Sequence, residues 1–293
     1  MLIWAASGIA IKQVLHTFTP LTMIILRFTL ASLLMLIIGC LFRHNPLLGL
    51  QRLDKKDVPL FLLGSFFQPF LYYILETYSY KALSSPTIAE ALLSTAPILS
   101  PFFAYLLLKE RVTLNNILGI IVSTAGMLML VMVGADNFEL GNPWGVPLAI
   151  AAVSTAVLYT VVLRRIPQKY NSLSIVFYIQ TLALLFFYPL WGIKDAPQIG
   201  TMIASWQYDT VWWQSLSAIG YLAVFSSVVA FICYCYSTRQ IGVTAANTFN
   251  NIRPVFTALI MLMFFGEHLP PGKVIGIVLI IVGLFVSQKP QRQ

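Results

Sequence analysis

Two carboxylates and a guanidinium stand where a mostly apolar chain has least reason to place charge. Glu76 and Glu90 lie inside apolar runs, and so does Arg253 in the stretch NTFNNIRPVF. An ionised side chain at membrane depth costs about 3 kcal/mol or more, so such residues serve a partner, a proton or a solute. The spacing sharpens this. Gln68, Tyr72, Glu76 and Tyr80 recur every four residues, on one face of a helix. Thr87, Glu90 and Ser94 form a second stripe, which Pro97 and Pro101 continue. Asn247, Asn250, Asn251 and Arg253 crowd the turn ahead of Pro254, which has no N–H to donate and so frees a carbonyl. Asn amides can hydrogen-bond a polar solute from several sides, and a guanidinium can grip a carboxylate or phosphate through two parallel bonds. Facing one aqueous cavity, these stripes would make a solute site. An internal arrangement also fits: Glu76 near the headgroups or paired with Lys81, and Arg253 ion-paired with Glu90 or Glu76. Trp4, Ser7, Tyr159, Tyr221 and Tyr234 are weaker lining candidates, since aromatic residues more often pack than bind. Arg27, beside Phe28, is expected to snorkel to the nearer interface.

The elements that must position these residues are membrane helices. Of 293 residues, 58% are hydrophobic and only 10% charged, against roughly 25% charged in a soluble domain. Mean hydropathy is +0.82. Apolar runs long enough to cross a bilayer fall at 1–16, 20–42, 58–82, 86–108, 113–134, 143–165, 172–192, 211–238, 243–265 and 270–288, which predicts ten spans. With the N-terminus in the cytoplasm, 12 Lys and Arg fall in inside loops, 4 in outside loops and 2, Arg27 and Arg253, within spans. That bias predicts a multi-pass protein of the cytoplasmic membrane with both termini cytoplasmic. It also reads the net charge of +8 as loop charge rather than as a nucleic-acid surface. The three cysteines sit in apolar runs without framework spacing, so no disulfide is expected.

Sliding the chain against itself by 157 residues brings Thr87, Ala89, Pro97, Glu110, Gly119, Ile120 and Gly126 onto Thr244, Ala246, Pro254, Glu267, Gly276, Ile277 and Gly283. Spans four and five thus repeat as spans nine and ten. Five helices followed by five more must cross in opposite senses. The predicted fold class is an all-α polytopic membrane protein: ten transmembrane helices in two inverted-topology five-helix repeats, residues 1–134 and 143–288. That plan suits secondary transport, with the site near the midplane. Glu110 and Glu267 end spans four and nine just before the next helix, where a carboxylate meets helix-terminal N–H groups; both are read as structural corners. Gly119, Ser123 and Gly126, with Gly276 and Gly283, would allow close helix contact within the chain or in a homodimer.

The repeated pattern of Pro97, Lys109-Glu110, Gly119 and Gly126, then Pro254, Gly266-Glu267, Gly276 and Gly283, resembles the drug/metabolite transporter superfamily, and within it the ten-helix EamA type. The openings WAASGIAIK and TPLTMIILRF share the resemblance. It implies export of amino acids or other small organic metabolites, or carriage of related solutes, through a central cavity lined by spans 1, 3, 4, 6, 8 and 9. Trp4 falls in the family's first-helix motif. By the repeat, the first span corresponds to the sixth, PWGVPLAIAAVSTAVLYTVVLRR, yet only eleven residues precede Lys12. The first helix is expected either to tilt among its neighbours or to begin upstream of Met1.

Other chemistries find no residues. Gly272-Lys273 is followed by Val274, so no Walker loop exists, and no HExxH zinc pair occurs. His16, His44 and His268 lie at loops or helix ends, and all five Asp lie in loops. No enzyme activity, metal or cofactor is expected. The partners expected are a small-molecule substrate, the lipid bilayer and, through Glu76 or Glu90, protons.

Overall fold

The computed structural model describes residues 1–84, 86–93, 95–109, 112–132, 141–198, 200, 203–204, 209–265 and 270–288. Helices make up nearly all of it: α1 (Leu2–Val14), α2 (Pro20–Leu41), α3 (Val58–Ala82), α4 (Pro86–Leu93), α5 (Ala96–Leu108), α6 (Leu114–Met132), α7 (Gly145–Arg165), α8 (Ser172–Lys194), α9 (Thr210–Ile241), α10 (Val243–Thr248), α11 (Arg253–Phe265) and α12 (Pro271–Gln288). Five of these, α2, α3, α7, α8 and α9, are long and apolar enough to cross a membrane; α1, α5 and much of α6 and α12 form shorter apolar helices.

Local chemistry sets several boundaries. Thr19 caps α2, its hydroxyl accepting from Thr22 N at 3.3 Å while Pro20 takes the first turn, where no N–H is needed. Asn171 caps α8 by accepting from Ser174 N at 2.8 Å. Lys109 ends α5 in the left-handed conformation, φ 55°. Where single runs were expected over 86–108 and 243–265, each is broken: α4 gives way to α5, and a 3₁₀ turn, Phe249–Ile252, separates α10 from α11. In both cases a proline, Pro97 or Pro254, sits in the first turn of the following helix, where its missing donor is cheapest.

The surface is strongly apolar, and the apolar core also encloses charged and polar groups. Leu33, Ile37, Phe102, Ile121 and Phe285 are exposed, Phe28, Phe61 and Phe187 fill the core, and Arg27, Glu76, Glu90, Gln180, Asn247 and Arg253 are buried among them. The wide exposed apolar surface, with the apolar helices, marks a multi-pass membrane protein. Near the centre, α1 packs against α3, α4, α9 and α11.

Helices α6 and α12 form the closest pair. A Cβ on Gly283 would lie 2.4 Å from Ser123 N and 2.6 Å from Gly119 O, and one on Gly126 would lie 2.6 Å from Gly276 O. Asn116 Nδ2 donates to Ser287 O at 2.6 Å along the same seam. The small-residue faces are therefore consumed by each other within one chain, not left for a second copy. Gly283→Ala should lower stability: overpacking costs ~1–3 kcal/mol, against a helix-propensity gain of ~1 kcal/mol, and the obstructing atoms are backbone. Thermal unfolding of the detergent-purified protein measures the net loss.

At one end of the bundle, Lys169 pairs with Asp54 and, at 2.7 Å, with Asp57 at the start of α3; Tyr170 Oη also donates to Asp57 at 2.7 Å. The hydrogen bond from Lys169, then that from Tyr170, holds the Asp57 carboxyl below its ordinary range. Such a group adds stability that is complete above the unfolded carboxylate pKa of about 3.9 and fades as pH falls through the lower folded value. Asp57→Asn should therefore lower the melting temperature at neutral pH, and the gap from wild type should close as pH falls into that window.

Candidate functional site

Three departures from α-helical geometry surround one cavity. In α3, the helix kinks within Phe66–Leu71, where Gln68 leaves helical geometry at φ −149°, ψ 118°. In α9, Leu222–Val229 is π-helical, and the third departure is the Phe249–Ile252 turn. Gln68, Ser226 and Asn250, one from each, line the cavity. Its walls also carry Trp4 and Ser7 of α1, Tyr72, Glu76 and Tyr80 of α3, Glu90 of α4, Tyr234 of α9, Asn247 of α10 and Arg253 of α11, around a tight cavity of about 40 Å³ that is open on one side.

The charges are organised. Arg253 Nη2 meets Glu90 Oε2 at 2.9 Å and Oε1 at 3.0 Å, both side chains being buried. Tyr80 Oη donates to the same Glu90 carboxylate. The internal pairing allowed by the sequence is thus present, and Glu90 is Arg253's partner. Glu76 takes one hydrogen bond, from Tyr72 Oη at 2.7 Å; its Oε2 is buried and has no partner among the described residues. One turn separates Tyr72 from Glu76, so the four-residue spacing itself makes this bond. Asn247 Oδ1 accepts from Tyr234 Oη at 2.8 Å and from Asn250 Nδ2 at 3.3 Å, while its Nδ2 is buried without a partner among the described residues. Trp4 donates Nε1 to Ser226 O at 3.2 Å, lies edge-on to Phe231 and Tyr234, and faces the Arg253 guanidinium at 5.9 Å. Ser7 donates back to Ile3 O at 2.9 Å within α1.

A family model described as the EamA-like transporter family matches residues 1–132 and 143–288. The chain belongs to the EamA-like transporter family. Its relatives are named accordingly. The uncharacterized transporter YetK of Bacillus subtilis (strain 168) is 26% identical, covering 92% of this chain and 78% of its own. A protein of Streptantibioticus cattleyicolor named "Probable terminal-alkyne amino-acid exporter" is 23% identical over 98% of this chain and 90% of its own. One solved crystal structure matches at a TM-score of 0.72 and 20% identity, over 98% of this chain and 93% of that one, which shows a shared fold. These family and relative names point to a membrane transporter rather than an enzyme, and so to a small-molecule substrate.

Within this EamA-like transporter, some expected residues lie elsewhere. Tyr159 is buried in the aromatic core, 6.4 Å from the Phe231 ring, and does not line the cavity. Asn251 turns away and donates to Ser123 Oγ of α6 at 2.6 Å. Ser94, Glu110 and Glu267 lie outside the described residues.

Arg27 overturns its expectation. Instead of snorkelling it is 1% exposed and lines the cavity. Its Nε donates to Ser227 Oγ and its Nη2 to Ser226 Oγ, both at 2.7 Å, and the guanidinium lies 4.5 Å from the Tyr73 ring centroid. The sequence displays the two parts, an intramembrane arginine and a Ser226-Ser227 doublet in an otherwise apolar run, but not their pairing.

The buried pair yields a prediction. Removing one partner strands the other charge, at ~3–5 kcal/mol, whereas replacing both by apolar groups is often near neutral. Glu90→Ala and Arg253→Ala should each lower thermal stability sharply. The double variant Glu90→Leu/Arg253→Met should recover most of the loss without recovering transport.

Proposed function

We propose that this transporter moves a small polar or amphipathic organic metabolite, an amino acid or related solute, outward across the cytoplasmic membrane by alternating access. The observation that carries the reading is the cavity: a partly open chamber whose polar groups come from α1, α2, α3, α4, α9, α10, α11 and the turn before α11, with Gln68, Ser226 and Asn250 placed where the helices are irregular. In membranes, non-helical backbone is tolerated where it is buried in protein or lines a polar cavity, and discontinuous helices are the usual site-builders of secondary transporters. The amino-acid class draws support from the relative named as an exporter of an amino acid.

In this reading the chain crosses ten times with both termini cytoplasmic, as two inverted five-helix repeats over 1–134 and 143–288. The inside-heavy distribution of Lys and Arg and the 157-residue internal match support it. The Glu90–Arg253 pair serves as a gate, made in one state and broken in the other. The solute meets Trp4, Ser7, Gln68, Tyr72, Glu76, Tyr234, Asn247 and Asn250, and one chain suffices for transport. Glu76, whose second oxygen lacks a partner, is the carboxyl open to a coupled proton, since Glu90 is engaged by Arg253 and Tyr80.

A metabolite-wide counterflow screen in proteoliposomes tests the reading. Saturable uptake with counterflow of at least one amino acid or related metabolite is expected. Unsaturating flux without counterflow would sink alternating access in favour of a pore. A pH gradient should alter wild-type uptake, and Glu76→Gln should remove that dependence; an equal response in the variant would exclude Glu76 as the proton carrier.

A further inference from the structure

The cavity's charges sum to zero, yet only half of them are paired. Arg27 and Arg253 face it with Glu76 and Glu90. Arg253 and Glu90 satisfy one another. Arg27 and Glu76 are both buried, and no ion pair among the described residues joins them. Each also carries an orphan: Arg27 Nη1, a donor, and Glu76 Oε2, an acceptor, have no hydrogen-bond partner among the described residues.

Two adjacent tyrosines hold these opposite charges in place. Tyr73 Oη accepts from Arg27 Nη2 at 3.3 Å, Tyr72 Oη donates to Glu76 Oε1 at 2.7 Å, and the two rings meet edge-on at 5.0 Å between centroids. Ser226 and Ser227 fix the guanidinium from the other side. Hydroxyls orient a buried charge without neutralising it. A cation or an anion entering such a chamber would upset its charge balance, and the desolvation cost of the mismatch is steep. A molecule bearing both signs preserves the balance and can satisfy both orphans.

We infer that the site recognises the two ends of a zwitterionic amino acid separately, Arg27 taking the carboxylate and Glu76 the ammonium, with Glu90 and Arg253 still paired to each other as the solute binds. The assignment rests on the amino-acid reading above and names its recognition groups. It moves the carboxylate site away from Arg253, which Glu90 already occupies. Asn247 Nδ2, buried and unpartnered in the same wall, is a further donor for the carboxylate or for a polar side chain.

The test is competition against counterflow of labelled L-amino acids in proteoliposomes of the full chain. Each amino acid competes beside its decarboxylated amine and its deaminated acid. Losing one charge-assisted hydrogen bond of ~1.5–3 kcal/mol corresponds to about tenfold or more, so the zwitterion should outcompete both analogues by at least that factor. Glu76→Gln keeps the side-chain volume and the acceptor for Tyr72; it should erase the preference over the deaminated acid and leave that over the amine. Arg27→Gln should do the reverse. Each ratio is internal to one variant, so reduced folded yield does not affect it, and the Glu76→Gln arm decides the matter should Arg27→Gln fail to fold. Amino-acid transport with Glu76→Gln ratios unchanged overturns this assignment and leaves the amino-acid reading standing. A wild type that moves other solutes but no amino acid overturns both.

Discussion

The guanidinium of Arg253 and the carboxylate of Glu90 meet at 2.9 Å in a region shielded from bulk solvent, and the cost of stripping water from both is offset only while they remain together. Much of the interior can be derived from that requirement. The two residues are 163 positions apart in the chain, so α4 and α11 must be brought side by side and held. Helix α1 packs against both, with Trp4 presenting its ring to the Arg253 guanidinium and anchoring its own N–H on Ser226 O. The remaining hydrogen-bonding capacity of Glu90 draws in Tyr80 from α3. One desolvated pair thus recruits helices from both ends of the sequence to a common centre.

The irregular helices follow from the same demand. A regular α-helix spends its carbonyls on its own ladder and offers little to a neighbour. In the π-helical segment of α9, Ser226 O accepts from Trp4 and Ser227 O accepts from Gln180 Nε2 at 2.6 Å, while both hydroxyls hold Arg27. The segment therefore acts as a polar platform inside an apolar span, in line with the frequent placement of such bulges at functional sites. The 3₁₀ turn before α11 does similar work by crowding three asparagines: Asn247 and Asn250 bond to each other and face the cavity, while Asn251 points back to Ser123.

Most of the cavity could be read from the sequence because charge in an apolar run is rare and helical spacing is strict. The stripe from Gln68 to Tyr80 lines the cavity as its four-residue period implies, even though the helix breaks at Gln68. Glu90, Asn247 and Arg253 were visible for the same reason. The failures share a different cause. Whether Arg27 reaches water or turns inward depends on a π-helical segment about 200 positions away, and no local pattern encodes that pairing. Tyr159 and Asn251 were assigned by residue type, but the direction of each side chain is set by packing: Tyr159 against Phe231, Asn251 against Ser123. Composition establishes that such groups are buried; only the neighbouring helix establishes what they face.

The two kinds of interior contact differ in what they permit. Along the α6–α12 seam, glycine brings backbone against backbone, and sliding either helix would drive carbonyls and amides into one another. Around the cavity, polar contacts such as Tyr72–Glu76, Tyr234–Asn247 and the Glu90–Arg253 ion pair stand beside the ring contacts of Trp4. The hydrogen bond between Asn251 and Ser123 ties the turn preceding α11 to the rigid seam, which fixes the Arg253 side of the pair. Glu90 lies on α4, which packs against α1, α7 and α11 and also touches α6. Both partners of the ion pair thus stand on elements that touch α6, so the glycine seam and the buried pair belong to one packed unit.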